Sequence, residues 1–342
     1  MTEHFREDYP WLQSPVIVNA PMSGFAGSDL AIAVTNAGGL GFVGATPYMH
    51  AELEEVSQSL LGRSRPNEGE NLSVGMGVLV FGQRKSDVVG LVRQFRPAAV
   101  WLFAAHENKD YKLWANDIRS VSPNTKIWIQ LSSVAAATEL AELCSPDVFV
   151  VQGADAGGHG SLKGAGFISL LPEIADALHK KGFEKISLVA AGGIADGRGV
   201  AAALTLGAAG IVMGTRFLGA HETEVHPQYR AAILDTVDGG QTTVRAKVFD
   251  ELNGPNIWPL TYDGRAIVAA CFPDYNTAGM SMDEIRKMRA EAKADVHRDR
   301  MRAVIWAGTG IGLVNDVKPA AQIVKETRDG AIRALEAARS RV

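Results

Sequence analysis

Val148-Phe-Val-Val-Gln152-Gly-Ala-Asp155-Ala-Gly157-Gly158-His159-Gly160 is a short apolar run that opens into glycines closed around one histidine. Residues 148–151 are all β-branched or aromatic, which reads as a buried strand. The glycines that follow strip Cβ atoms from the backbone where such a strand ends, so a ligand can approach the main chain closely. An imidazole in that bare segment is suited to orienting a substrate or moving a proton near neutral pH. The plainer alternative is a tight turn whose histidine only hydrogen-bonds the backbone.

Working outward, apolar β-rich runs fall at 15–20, 40–44, 72–80, 98–103, 126–131, 147–151, 186–191 and 209–213. They alternate with helical patterns at 28–37, 52–61, 87–95, 108–120, 135–143, 167–180 and 198–206. In the pattern at 167–180, Ile168, Leu171, Ile174, Ala175 and Leu178 share a face. The acidic, glycine- and proline-containing stretch at 63–71 reads as a surface loop. Eight successive βα units fit an α/β fold of the (β/α)8 TIM-barrel type better than an open doubly wound sheet. No Gly-x-Gly-x-x-Gly follows a strand, and the nearest candidate, Gly308-Thr-Gly310-Ile-Gly312, has Leu313 where the last glycine should fall.

Beyond residue 218 the rhythm changes. A helical pattern at 226–234, a turn at 238–240 and a strand or extended edge at 242–249 precede loops punctuated at 253–255 and 272–274. Ser281 and Glu284 form a capping box ahead of a long helix whose Ile285, Met288, Ala292 and Val296 share a face. The chain thus divides into a barrel over 1–218, an inserted α-rich cap domain over its C-terminal mouth at 219–317, and a helix at 318–342 returning to the barrel wall. On that helix Val324, Ala331, Leu335 and Ala338 lie on one stripe.

With 342 residues, 46% of them hydrophobic, the chain has material for a large core. Its formal charge of -4 supplies no basic excess for nucleic acid or an anionic membrane. The run at 286–302 mixes arginines with acids and reads as a solvated face. The longest uncharged stretch, 199–215, is too short and glycine-rich to span a bilayer. Acids at the N-terminus argue against a signal peptide, so a cytoplasmic enzyme is expected. Cys144 and Cys271 stand far apart and imply neither a disulfide framework nor a zinc site. No pattern bears on oligomeric state.

In such a barrel, chemistry belongs at the C-terminal strand ends, where the βα loops converge. Four glycine-rich ends qualify: 20–24, 152–160, 191–194 and 213–216. The last two follow the seventh and eighth strands, where barrels often hold a phosphate on backbone amides and a helix N-terminus. Gly192, Gly193 and Gly214 expose such amides, and Thr215 adds a hydroxyl. The alternative is that these glycines merely permit tight turns. Gln130, ending the fifth strand, is placed to offer an amide to a polar ring edge or to bond a neighbouring loop. Met22 follows a proline in an exposed turn, where it lines a flat ring or fills core. His221 and His226 are five apart and miss the i, i+4 spacing of a helical zinc site, so helix-end roles suit them better. His4, His50, His106, His179 and His297 carry no signal, and no Ser-His-Asp or Cys-His arrangement can be read.

Taken in order, Asn19-Ala-Pro21-Met22, the stretch Gln152 to Gly160, Ala190-Ala-Gly-Gly-Ile194, Met213-Gly-Thr-Arg-Phe217 and Trp306-Ala-Gly-Thr-Gly-Ile-Gly-Leu313 resemble the nitronate monooxygenases, formerly called 2-nitropropane dioxygenases. The resemblance runs from about Ser14 to the C-terminal helix. It implies an FMN cofactor across the barrel mouth, its phosphate on the turns after the seventh and eighth strands. It places Ala20, Pro21, Met22, Ser23, Gln130, Gly153, Gly157, Gly158, Ala191, Gly192, Gly193, Met213, Gly214 and Thr215 around that cofactor, with the inserted segment capping the substrate. His159 would be catalytic, taking the α-proton of a neutral nitroalkane or holding the nitro group of a nitronate while FMN passes electrons to O2. The reaction implied turns an alkyl nitronate and O2 into a carbonyl compound and nitrite, with propionate-3-nitronate one candidate substrate. Asp155 stands where the family commonly has Glu. Two other readings stay open: an FMN-dependent NAD(P)H reductase of a quinone or enoyl thioester, and a non-catalytic binder of a phosphate ligand.

Overall fold

The computed structural model describes residues 3–60, 71–252, 254–293 and 302–341. Eight parallel strands form one sheet curled into a barrel. They are β1 (Ile17–Asn19), β2 (Phe42–Val43), β3 (Leu72–Leu79), β4 (Pro97–Phe103), β5 (Lys126–Leu131), β6 (Val148–Gln152), β8 (Ser187–Ala191) and β9 (Gly210–Met213). β7 (Gly158–Ser161) lies outside the barrel. The expected TIM barrel is therefore present, with β1 and β2 three residues shorter and β3, β8 and β9 one residue shorter than the sequence suggests. Helices α2 (Ser28–Asn36), α3 (Met49–Leu60), α4 (Lys85–Phe95), α5 (Asn108–Val121), α6 (Val134–Cys144), α7 (Phe167–Lys180) and α8 (Gly197–Thr205) return the chain between strands.

The period of two along β6 explains its unbroken apolar run. Val148 and Val150 belong to the cluster inside the barrel, and Phe149 and Val151 to the one between sheet and helices, so both faces are buried. Trp101, Trp128 and Phe42 fill the interior, the two indoles stacked with centroids 5.9 Å apart. An element the sequence did not announce closes the floor. In α1 (Glu3–Asp8) Phe5 packs on the Trp128 indole, and beyond the helix Tyr9 accepts a 2.7 Å bond from Trp128 Nε1.

The barrel's seam runs between β1 and β2, and little backbone pairing closes it: a bridge between Val18 and Leu40, with the Leu40 amide donating to Ile17 O at 3.0 Å. Asn19, wholly buried, completes it by standing in for a strand. Its Nδ2 donates to Phe42 O at 2.8 Å and its Oδ1 accepts from Phe42 N at 2.9 Å. Asn19→Ala strands both Phe42 backbone groups in a dry seam, and we expect a loss of about 2–4 kcal/mol in urea unfolding. Asn19→Asp, which keeps only the acceptor, should fall in the same direction.

After β9 come α9 (Pro227–Asp235), α10 (Gly239–Thr242), β10 (Thr243–Ala246), α11 (Val248–Glu251), β11 (Tyr262–Ile267), α12 (Cys271–Asn276) and α13 (Met282–Ala292). His226 caps α9 through Nδ1, the helix-end role its spacing suggested, and Ser281 and Glu284 form the expected capping box on α13. Residues 219–317, expected as an α-rich cap, are less purely helical than their sequence suggests. β10, β11 and β7 make a three-stranded antiparallel sheet, so half of the glycine stretch is a strand and not a bare turn.

The last helix, α14 (Ala320–Arg339), packs on α8 and α2. Its Arg328 donates to Pro15 O, Ala37 O, Gly38 O and Gln13 Oε1, and burial pulls this guanidinium below its ordinary value. Two helical stripes differ from expectation, α7 by rotation and α14 because its C-terminal end runs past the body it packs on. Ile168 is 57% exposed while Phe167 and Leu170 take its place inside, and on α14 the buried face is Ile323, Val324, Thr327, Arg328 and Ala331, leaving Leu335 and Ala338 at the surface. The loop expected at 63–71 falls almost wholly outside the described residues, as do Asn253, Val296 and His297.

Candidate active site

A cavity of about 400 Å³ opens at the C-terminal ends of the barrel strands. All four glycine-rich strand ends reach it. Ala20, Pro21, Met22 and Ser23 line one side, Gly157, Gly158 and His159 another, and Ala191, Gly192, Gly193, Gly214 and Thr215 a third, with Gln130 between them. Gly153 and Met213 stand outside the lining. A Cβ on Gly153 would meet Phe167 N at 2.6 Å, and the Met213 side chain lies in the core behind the sheet.

Local packing explains most of the glycines. Gly192 and Gly193 have φ of +96° and +74°, a backbone that side-chain-bearing residues rarely adopt. A Cβ on Gly157 would lie 2.4 Å from Ala307 C and Gly308 N, because the loop at 307–310 rests directly on the central motif. Thr309 fastens the two: its amide donates to Asp155 O at 3.0 Å and its hydroxyl to Asp155 Oδ1 at 2.9 Å. Thr215 Oγ1 accepts the Gly308 amide at 3.0 Å, which leaves its own proton to donate into the cavity. The glycine series 308–312, unfit as a dinucleotide fingerprint, is thus a cavity wall: Gly308 and Gly310 both line it.

Gln130 is nearly buried and takes a 3.1 Å bond from Trp101 Nε1 on its oxygen, which points its NH2 as the free end. Met22 lines the cavity and also packs against the apolar cluster that includes Ile233, Ile305 and Ile311, so it does fill core. His159 meets a carboxylate beside the cavity. Its Nε2 lies 2.6 Å from Asp250 Oδ1, its ring stacks on Trp258 with centroids 3.6 Å apart and planes within 8°, and Trp306 flanks it at 4.7 Å. Trp258 in turn meets Phe81, Phe103 and Tyr262, and with Phe103 it gives the cavity an aromatic wall. Burial pushes the Tyr262 phenol up, keeping it neutral.

Beneath the motif, Arg245 pairs with Asp263 at 2.6 Å and Arg265 donates to Ala154 O at 3.2 Å. Burial first, and then the like charge of Arg245, lowers the Arg265 guanidinium. These arginines hold carbonyls of the glycine loop. Both cysteines are buried, their thiols pushed up to about 11 by burial, and no metal-binding group of His, Cys, Asp or Glu occurs among the described residues. No helix among the described residues is long and apolar enough to cross a membrane.

Asp250, Trp258 and Trp101 carry no motif in the sequence. Trp258 had one faint mark, a tryptophan between two prolines in a polar loop. Asp250 had none, because only the fold sets it against a histidine 91 residues away.

Residues 116–329 match the family model described as nitronate monooxygenase. The chain is 40% identical over 335 residues to the nitronate monooxygenase npaC of Metarhizium robertsii, covering 94% of this chain and 92% of that protein. It is 36% identical to a nitronate monooxygenase of Neurospora crassa, covering 94% and 90%. Among solved structures it superposes on FabK from Thermotoga maritima with a TM-score of 0.75 at 22% identity, covering 100% of each chain. A nitroalkane oxidase from Streptomyces ansochromogenes gives 0.72 at 20% identity, covering 98% of this chain and 99% of that one. At these identities the structures bear on the barrel alone.

Proposed function

The chain belongs to the nitronate monooxygenase family and is an oxidoreductase of that kind, and from this premise we propose how its site works. The cavity takes a flavin, FMN, whose phosphate rests on the turns carrying Gly192, Gly193, Gly214 and Thr215. The residues fit such a group. Side-chain-free backbone with positive φ at Gly192 and Gly193, beside a hydroxyl free to donate, suits an anion, while Met22 and Gly158 offer apolar surface to a flat ring and Gln130 an amide to its edge. When bound, the flavin supplies the redox step, carrying electrons from a nitronate to O2 with carbonyl compound and nitrite as products.

The chain's own residues do the rest. His159 donates from its ring to the nitro oxygens of a nitronate, or accepts the α-proton of a neutral nitroalkane. Trp258 and Trp306 hold the imidazole plane and exclude water around it. The segment 219–317 acts as a cap over a barrel of residues 1–218, with 318–342 fastening the wall, and the protein works in the cytoplasm on a small nitronate or nitroalkane. The observation that carries this reading is one cavity holding both glycine turns and the histidine.

The purified protein should be yellow and should take up oxygen with ethyl nitronate or propionate-3-nitronate in the absence of NADH. Release of FMN on denaturation, identified by chromatography, checks the cofactor. A colourless protein that cannot be reconstituted, or turnover that requires NADH, overturns the reading.

A further inference from the structure

We propose that Asp250 is the positioning residue of this site. Its carboxylate accepts the Nε2 proton of His159, fixing the tautomer that leaves Nδ1 to take the α-proton of a neutral nitroalkane. The inference rests on His159 being the catalytic residue, as read above.

The two side chains come from separate elements, β7 and α11, and meet at 2.6 Å with only 15% and 7% of their surfaces exposed. Among the described residues Asp250 makes no other side-chain hydrogen bond: Oδ2 is buried and unpartnered. A carboxylate so placed is costly to keep charged unless a donor or cation faces it. His159 is that partner. The stack on Trp258 and the flank of Trp306 remove the ring's freedom to rotate, and Gly264, paired with His159 across the sheet, is the position that admits Trp306, since a Cβ there would meet its ring at 2.3 Å. No hydrogen bond among the described residues takes Nδ1.

The chemistry then divides by substrate. A nitronate arrives already deprotonated and needs no base; the doubly protonated ring, its Nε2–H held by Asp250, gives it a hydrogen bond from Nδ1. A nitroalkane must first lose its proton: the α-C–H bond breaks, its electron pair becomes the C=N bond of the nitronate with charge on the nitro oxygens, and the proton goes to Nδ1. The imidazolium formed is paired with the Asp250 carboxylate, 2.6 Å from Nε2. An amide in place of the carboxylate removes that charge. It also lets an N–H donate to Nε2, which puts the ring proton on Nδ1. A ring of that tautomer still donates to a nitronate but cannot accept a proton from a nitroalkane.

The test compares Asp250→Asn and Asp250→Glu with the parent flavin-loaded enzyme on nitroethane and on ethyl nitronate. For D250N, kcat on nitroethane should fall about 100-fold or more, and on ethyl nitronate only about threefold. D250E, which keeps the carboxylate, should recover part of the nitroethane rate. ¹⁵N chemical shifts of the His159 ring supply a readout independent of turnover: protonated Nε2 and bare Nδ1 in the neutral parent, the reverse in D250N. Equal losses on both substrates, or a neutral parent ring carrying its proton on Nδ1, overturn the proposal. An enzyme whose His159→Asn variant keeps full activity on both substrates defeats the catalytic reading beneath it, a result distinct from failure at Asp250.

Discussion

His159→Asn leaves a folded, yellow protein whose turnover of nitroethane falls by about 10²–10⁴, the contribution of a positioned general base. Asparagine is close in size and keeps one donor, so the ring's hydrogen bond to a nitronate is partly replaced. Its amide takes no proton at any ordinary pH, so the nitroalkane reaction has no acceptor left. Loss on ethyl nitronate should be smaller, about tenfold or more, because an uncharged amide replaces a group able to carry positive charge against the nitro oxygens. The imidazole lines only one side of the cavity, while the glycine turns proposed to hold phosphate lie on another, so flavin content should be unaltered. Oxygen uptake with each substrate and the visible spectrum of the variant check both halves. Unchanged turnover excludes His159 from the chemistry.

The second large effect is expected where a single methyl group meets main chain. In Gly157→Ala the new Cβ would stand 2.4 Å from Ala307 C and Gly308 N, neither of which can rotate aside. Relief requires the loop at 307–310 to part from the central motif, breaking the Thr309 bonds to Asp155 and pulling the Gly308 amide from Thr215. Overpacking of this kind costs about 1–3 kcal/mol or more, and here the displaced loops are two walls of the cavity. Thermal denaturation should show the loss of stability, and flavin titration of the apoprotein a weakening of about tenfold, or roughly 1.4 kcal/mol. Gly90→Ala is the control: inside α4, with nothing within 4 Å of its Cβ, it should leave flavin affinity alone and raise stability by up to about 1 kcal/mol.

What could be read from the chain and what could not follows from how far each signal reaches. A barrel strand buried on both faces writes itself as a run such as 148–151, and eight such runs between helical patterns leave little choice of fold. Glycine clusters were legible as places of close approach, although the sequence could not tell a ligand from another loop: Gly157 makes room for Ala307 and Gly308. β7 escaped notice because Gly-His-Gly-Ser holds no β-former, and its strand exists only through pairing with β11. The error at Ile168 is a rotation of the helical stripe, which periodicity alone does not fix. Asp250 belongs to a four-residue helix with no period to read, and its importance is entirely tertiary.

Arg328 also says something about when this protein can be complete. Four acceptors at positions 13, 15, 37 and 38 wait for a guanidinium about 290 to 315 residues further along the chain. During synthesis the first strand and the turn after α2 therefore leave the ribosome with these carbonyls turned to water, and they stay so until nearly the last helix has emerged. Tyr9 waits similarly for Trp128, 119 residues on. The segment around the first strand is made well before the side chain that secures it, so the barrel is latched as a whole rather than strand by strand.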